Sequence, residues 1–304
     1  MRNALSVDVE DYYHVSAFER YVRQDQWTSY PSRVANNTRR IIDILEEHGV
    51  TATFFILGWV AEREPTLVRE IYRRGHEVAS HGYNHRRVTT QTRTEFRDDI
   101  RRSKSLLEDL TGATVSGYRA PSYSISLNCL WAFDELVESG YRYDSSVFPV
   151  RHDFYGIPNW PRFPFYVVKK SNEEWIPDNT GSPCDMKSTG NGSRLLEIPI
   201  TTARVAGRNM PIAGGGYFRL FPYFVTHWGL QQINSAENRP FVFYLHPWEI
   251  DPDQPRMTGI GIKTRFRHYL NLHSTEQRFR NLLMDFKFSP LSTLITAELQ
   301  HSQE

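Results

Sequence analysis

Short apolar, β-prone runs alternate with helix-period segments along most of this chain, and that alternation constrains the fold more than any other property of the sequence. Repeated β-then-α units imply parallel strands joined by right-handed crossovers, so the chain is expected to build an α/β barrel or a doubly wound sheet. Residues 4–9 read as a first strand. Ser32 is placed to cap a helix through His48, with Val34, Ile41, Ile42 and Leu45 on one face and Gly49 as its stop. Residues 51–57 form the next strand, and their near-continuous apolarity suits a sheet covered on both faces. A helix runs from Pro65 to Gly75, and residues 77–80 are a third strand. Helices over 94–110 (stopped by Gly112) and 127–138 alternate with strands over 116–120 and 141–145. Between 148 and 216 the pattern loosens into Pro-rich and then Gly/Ser/Asn-rich tracts (181–193) around short strands at 165–169 and 195–200. Long loops of this kind are frequent binding elements. Order returns with a helix over 222–234, a strand over 241–245 and a helix over 275–286.

Composition closes off several function classes. The 304 residues allow one large domain or two ordinary ones, with a core that needs no staples. Lys+Arg 36 against Asp+Glu 35 gives a net charge of +1, so no nucleic-acid or anionic-membrane partner is expected. The dispersed arginine pairs read as solvated faces. Cys129 and Cys184 are expected to be reduced. The N-terminal apolar stretch is too short for a signal peptide and no run of 18 apolar residues occurs, so a cytoplasmic protein without membrane insertion is expected.

The chemistry gathers at strand ends. Asp8, His81, Arg119 and Asp144 each follow a strand, and the strand at 241–245 hands over His246. Barrel folds place their active sites at that rim. His81 and His85, four residues apart, can converge on one metal ion. With a carboxylate from Asp8-Val-Glu10-Asp11 they make the ligand set of a hydrolytic zinc site with an open position for water. Alone, each residue has an ordinary reading: a strand-end Asp caps turns, paired loop histidines are common, a buried Arg pairs an acid, and His246 fills a core. Their combination at one rim points to a metal site. His14, just after the acidic cluster, is the one other histidine of interest.

These pieces resemble the polysaccharide deacetylase family (NodB homology, carbohydrate esterase 4) over about residues 4–250. His81-Gly-Tyr-Asn-His85 matches its H-[ST]-x-x-H motif with Gly82 for Ser/Thr, Arg119-Ala-Pro-Ser-Tyr123 matches R-x-P-[YFS]-[GY], and Tyr244-Leu-His246 matches the last histidine motif. The resemblance implies a distorted (β/α) barrel of the NodB-homology type over 1–250, its active site at the C-terminal ends of the strands. Residues 251–304 would be an extension packed on the same domain. It further implies a divalent metal, zinc expected, held by Glu10, His81 and His85. Asp8 would act as base, His246 as acid, Arg119 as the holder of Asp8, and the Tyr123 backbone N–H as oxyanion donor. The acids depart from the family's adjacent pair. Asp8 and Glu10 share one face of an extended chain, and Asp11 is a rival ligand if the strand ends early. Asp144-Ser-Ser-Val-Phe148 stands where the family has D-x-x-x-W. Phe148, Tyr217 and Trp248 are expected to contact substrate, and Glu249 or Asp144 to orient His246.

Residues 214–219, 243–252 and 267–269 resemble a bacterial subgroup associated with exopolysaccharide and exosortase-type loci. The implied reaction is removal of N-acetyl groups from an amino-sugar polymer or its precursor, with oligomeric state open. A cyclic-amide hydrolase of the allantoinase-like branch and a catalytically dead carbohydrate-binding protein are the alternatives. An open cleft lined by aromatics favours a polymer, and a closed pocket favours a small ring. A two-carboxylate glycosidase would leave the histidine pair and Arg119 unexplained.

Overall fold

The computed structural model describes residues 1–151, 155–178 and 193–295; most of the 181–193 tract, and Cys184 with it, lies outside them. In chain order the strands of the main sheet begin with β1 (Asn3–Val9), β2 (Thr53–Ile56), β3 (Glu77–Ser80), β4 (Gly117–Tyr118) and β5 (Tyr143–Asp144). Next come β6 (Phe165–Lys169), β7 (Trp175–Pro177) and β8 (Arg194–Glu197), then a separate hairpin of β9 (Thr202–Val205) and β10 (Arg208–Pro211). β11 (Val242–Leu245) and β12 (Phe288–Ser289) complete the set.

Seven strands in the order β11-β1-β2-β3-β4-β5-β8 pair in parallel, as the β-then-α pattern requires. β8 then pairs antiparallel with β6, and β6 with β7, rather than returning to β11. Extended loop segments span the remaining gap. Val242 N donates to Thr201 Oγ1 (2.7 Å), Tyr244 N to Ala213 O (3.3 Å), and Gly214 bridges Tyr244 in parallel register. Gly214 has φ 122°, and a Cβ there would lie 2.1 Å from Tyr244 O, so only glycine lets the two backbones meet. The expected distorted barrel is borne out, and this loop closure is its distortion.

The helices before the loosened region are α1 (Val34–Glu47), α2 (Gly58–Arg63), α3 (Pro65–Arg73), α4 (Arg93–Thr111) and α5 (Ala132–Glu138). Those after it are α6 (Gly215–Leu220), α7 (Tyr223–Ser235), α8 (Ile262–Tyr269) and α9 (Leu272–Asp285). α4 starts at a capping box, with Glu95 N donating to Thr92 Oγ1 (3.3 Å) and Thr92 N to Glu95 Oε2 (2.8 Å), and ends at Gly112 in the left-handed region. α1 departs from expectation. Ser32 does not cap it; the Asp11 carboxylate does, for reasons given below. α2, the hairpin β9–β10, α6, α8 and β12 are additional to the elements expected, and all are short. No helix among the described residues is long and apolar enough to cross a membrane.

Strand alternation sorts the core. Leu5, Val7, Val9, Phe54 and Ile56 pack outward in the large cluster that also holds the inner faces of α1, α3 and α4. Ala4, Phe55, Ala79, Tyr143, Leu196 and Val242 form a separate cluster inside the barrel, joined by Leu291 and Leu294 from beyond β12. Continuing two residues at a time along β1, the inward series Ala4, Ser6, Asp8 passes from this apolar floor to the barrel mouth.

Candidate active site

Arg119 leaves the end of β4 and is fully buried directly above that floor, its guanidinium 4.1 Å from the Phe55 ring. Its Nη1 donates to Asp8 Oδ1 (2.6 Å) and Ser6 Oγ (2.7 Å), while Nε and Nη2 donate to Ser145 O (3.1 Å) and Ser145 Oγ (2.9 Å). A buried ion pair is tolerable only when its remaining donors find partners, and here four acceptors meet the fork. Tyr123 Oη reaches the other oxygen of Asp8 (3.5 Å). The Tyr123 amide is otherwise engaged. It donates to Ala120 O (3.0 Å) in the turn after Pro121, where Ser122 and Tyr123 both have φ near +55°. The expected oxyanion role of that amide is therefore not available in this structure; the phenol is the part of Tyr123 that meets the site.

Glu10, His81 and His85 come together above Asp8, each offering an atom within 4.8 Å of the others. Glu10 Oε2 lies 2.7 Å from His85 Nε2 and is buried without another partner. His81 Nδ1 meets the carbonyl of Arg119 at 2.8 Å. A carbonyl only accepts, so the proton sits on Nδ1 and Nε2 keeps a free lone pair, the usual state of a metal-ligating imidazole. Burial pushes His81 down to about 4, which keeps it neutral. Burial alone would raise the Glu10 carboxyl, but His85, His246 and His81 hold it well below the carboxylate range. His85 returns beside His81 because the loop folds around Asp99 of α4, whose carboxylate accepts from Tyr83 N (2.7 Å) and Asn84 N (3.1 Å). Gly82 has φ 72°, and a Cβ there would lie 2.8 Å from Asp99 Oδ2, which accounts for glycine at this motif position. This donor set fits a divalent metal.

Asp11, the rival ligand, faces elsewhere. Its Oδ2 accepts from Ser32 Oγ (2.8 Å), Arg33 N (2.8 Å) and Val34 N (3.1 Å), and its Oδ1 from Tyr12 N (3.1 Å). It thus satisfies the orphan N–H groups that open α1, and Ser32 serves only as its donor. His14 Nδ1 accepts from Asp11 N (2.9 Å), and its ring sits among Tyr13, Trp27 and Trp59.

His246 approaches from the opposite side. Its Nε2 lies 3.6 Å from Glu10 Oε1 and 4.0 Å from Asp8 Oδ2, and its Nδ1 is 3.0 Å from Glu249 Oε2. Burial lowers the affinity of His246 for its proton, but Glu249 outweighs it and pushes the imidazole up to about 9. Glu249 itself is drawn down to about 2 against its burial, by Arg219 and His246. Of the two partners expected for His246, Glu249 is the one in place. Asp144 lies directly opposite Glu197 across β5 and β8, and burial raises both carboxyls, Asp144 to about 6.

Two residues expected to contact substrate are buried. Trp248 is 5% exposed, stacked between His246 and His268, and its Nε1 donates to Glu10 Oε1 at 3.4 Å. Phe148 is 1% exposed, stacked on Tyr155 and edge-on to Tyr123, so it backs the wall. Both are large apolar groups at a strand end, and sequence could not say which way they face. Trp160 and Trp175 are likewise buried. Tyr217 is half-buried and lines an open cleft of about 1120 Å³ together with Trp160, Phe163, Arg204 and Val150. The cleft adjoins the site through Val150 and Tyr217, which pack in the aromatic cluster holding Tyr123. Arg219, Ser6, Ser145 and Asp99 were not singled out for these contacts from sequence. Arg219 lay in a segment of note, 214–219, and Ser145 in the motif Asp144–Phe148.

Residues 25–142 match the family model described as polysaccharide deacetylase, and residues 145–296 match a domain of unknown function, DUF3473. Among curated proteins, the chain is similar to a peptidoglycan-N-acetylglucosamine deacetylase of Bacillus cereus. Identity is 35% over 99 residues, 32% of this chain and 36% of that protein. A peptidoglycan deacetylase of Helicobacter pylori is 32% identical over 117 residues, 38% of each chain. A chitooligosaccharide deacetylase of Sinorhizobium fredii is 34% identical over 103 residues, 34% of this chain and 45% of that one. The chain thus spans less than half the length of these relatives. A crystal structure from Mycobacterium smegmatis, described as a polysaccharide deacetylase, superposes with TM-score 0.59 at 18% identity, covering 98% of this chain and 90% of that one.

Proposed function

Because the chain belongs to the polysaccharide deacetylase family, with a DUF3473 region over its second half, we propose that it is a metal-dependent hydrolase that removes N-acetyl groups from an amino-sugar glycan. One observation carries the reading. A buried carboxylate held by Arg119 and a Glu10–His81–His85 donor set share one barrel mouth, with His246 on the opposite side, 3.6–4.0 Å from the carboxylates. When bound, a divalent metal, with zinc as the proposed ion, would supply a water of lowered pKa and polarise the acyl oxygen.

This chain's own residues do the rest. Asp8 accepts the proton of the attacking water, held and oriented by the Arg119 guanidinium. Tyr123 Oη, 3.5 Å from Asp8 Oδ2, is the donor on the other oxygen of the base. His246, whose Nδ1 proton is held by Glu249, presents Nε2 to the departing amine and delivers its proton there. Arg119, Ser145 and Ser6 exclude water from beneath Asp8.

The open cleft with Trp160, Phe163 and Tyr217 on its walls favours a polymer over a small cyclic amide. The proposed natural substrate is an exopolysaccharide-type glycan, supported by the likeness of 214–219, 243–252 and 267–269 to the exopolysaccharide-associated subgroup. The test is acetate release from N-acetylglucosamine oligomers and peptidoglycan by zinc-loaded protein, with His81→Ala alongside. Release that vanishes in the variant is expected. Stoichiometric metal without release from any N-acetylated glycan would remove the deacetylase reading.

A further inference from the structure

The region matching the domain of unknown function contains a buried cation that the reaction above does not use. Arg219, at the last turn of α6, is 3% exposed. Its Nε donates to Glu249 Oε1 (2.8 Å). Its Nη1 donates to three carbonyls at the end of α8, those of Arg267 (3.1 Å), His268 (2.6 Å) and Leu270 (3.2 Å). These are the C-terminal carbonyls that a helix leaves without partners, and they form its negative end. The Arg219 carbonyl is fixed in turn by Asn271 Nδ2 (2.8 Å) and Arg278 Nη1 (3.2 Å). The guanidinium lies 5.0 Å from the Trp248 ring, and that ring stacks on His246.

The same carboxylate continues the chain of contacts. Glu249 Oε2 accepts from His246 N (3.0 Å) and pairs with His246 Nδ1 (3.0 Å). One carboxylate thus holds both backbone and ring of His246, and its second oxygen is held by Arg219. Without Arg219, Glu249 would be a buried charge free to turn or to take up a proton, and the ring would lose its fixed tautomer.

We infer that Arg219 is a positioning residue for His246, anchored on the C-terminal carbonyls of α8, and that aiming this histidine is a role of the DUF3473 region. The inference rests on the proposed function for the task of His246, but the geometry it describes can be measured separately. Arg219 touches neither Asp8 nor the metal-ligand set, and its hydrogen-bonded path to His246 runs through Glu249.

The experiment compares Arg219→Lys and Arg219→Ala with wild type on two substrates. An N-acetylglucosamine oligomer has an amine leaving group that needs a proton; 4-nitrophenyl acetate releases a phenolate that does not. Loss of the aim is expected to lower kcat on the oligomer at least tenfold, within the roughly 10²–10⁴ that a positioned general acid contributes. KM should stay within about twofold and ester turnover within about threefold. If Arg219→Ala does not fold, Arg219→Lys, which keeps the charge but loses the fork, carries the comparison. The second readout is the His246 Nδ1 proton resonance in histidine-labelled protein, expected at low field in wild type and shifted or broadened away in the variants. Equal losses on both substrates, no loss on the oligomer, or an unchanged Nδ1 resonance would each overturn the inference. If wild type hydrolyses no N-acetyl glycan, the proposed function fails, while the resonance still decides whether Arg219 aims His246.

Discussion

The Asp8–Arg119 pair offers a quantitative test of how the site is built. The two groups are 2% and 0% exposed and 2.6 Å apart. Removing one partner leaves the other as an uncompensated buried charge, a cost of about 3–5 kcal/mol. Asp8→Asn keeps the shape and removes the charge, so it should cost about 3 kcal/mol. Arg119→Met also strips donors from Ser6 Oγ, Ser145 O and Ser145 Oγ, each worth about 1 kcal/mol, and should cost about 5 kcal/mol or more. In the double variant neither charge is stranded. Its cost should therefore fall short of the sum by about 2–3 kcal/mol. The assay is urea unfolding followed by tryptophan fluorescence, with a chelator present so that bound metal does not contribute. For 304 residues the unfolding entropy is roughly 0.6 kcal/mol per degree, so Asp8→Asn should also lower Tm by about 5 °C. Additive costs to within about 0.5 kcal/mol would refute the buried-pair account, as would single variants that each cost under about 1 kcal/mol.

Three further outcomes follow from the geometry. Asp11→Ala should cost about 1–2 kcal/mol by exposing the unpaired start of α1, yet bind zinc as wild type does, whereas Glu10→Gln should lose the metal; titration against a chromophoric chelator separates them. Trp248→Phe keeps the stack between His246 and His268 but removes the indole N–H from Glu10, so zinc affinity measured by chelator competition should fall about 10–100-fold. The third concerns pH. Asp144 is raised from 3.8 to about 6, so between those values the folded chain holds more protons than the unfolded one and stability declines as pH rises. Burial raises Glu197 as well, so Glu197→Gln removes the second carboxyl that keeps its proton on folding and should flatten that decline, read as the urea midpoint from pH 4 to 8 against wild type; parallel curves would sink it.

The parallel strands and long helices were legible because each carries its own periodic signal. α4 shows both its capping box and its terminal glycine, and β1–β3 are apolar in the alternation that buries both faces. The histidine pair of the candidate metal site was legible because His81 and His85 are four residues apart, whereas its carboxylate stayed open between Glu10 and Asp11. The elements that escaped are short or irregular: α2, the β9–β10 hairpin, α6, α8, β12 and the loop closure at Gly214. Each exists through tertiary contacts, such as β12 lying beside β1 at Asn3 and Ala4.

Sequence by itself determined which residue types stand at the barrel rim, because strand alternation and the β-then-α order place Asp8, His81, Arg119 and His246 there whatever the loops do. Only the tertiary structure decided which atom each one meets. Asp11 and Glu10 are chemically alike and one residue apart, but the start of α1 claims one and the histidines claim the other. Trp248 and Phe148 read as substrate-contacting aromatics, and packing buries both. Glu249 rather than Asp144 serves His246 because Arg219, 30 residues away in sequence, reaches Glu249 from a helix whose neighbour α8 supplies its anchor. A contact between distant segments is set by how helices and loops pack, and a local pattern carries no record of it.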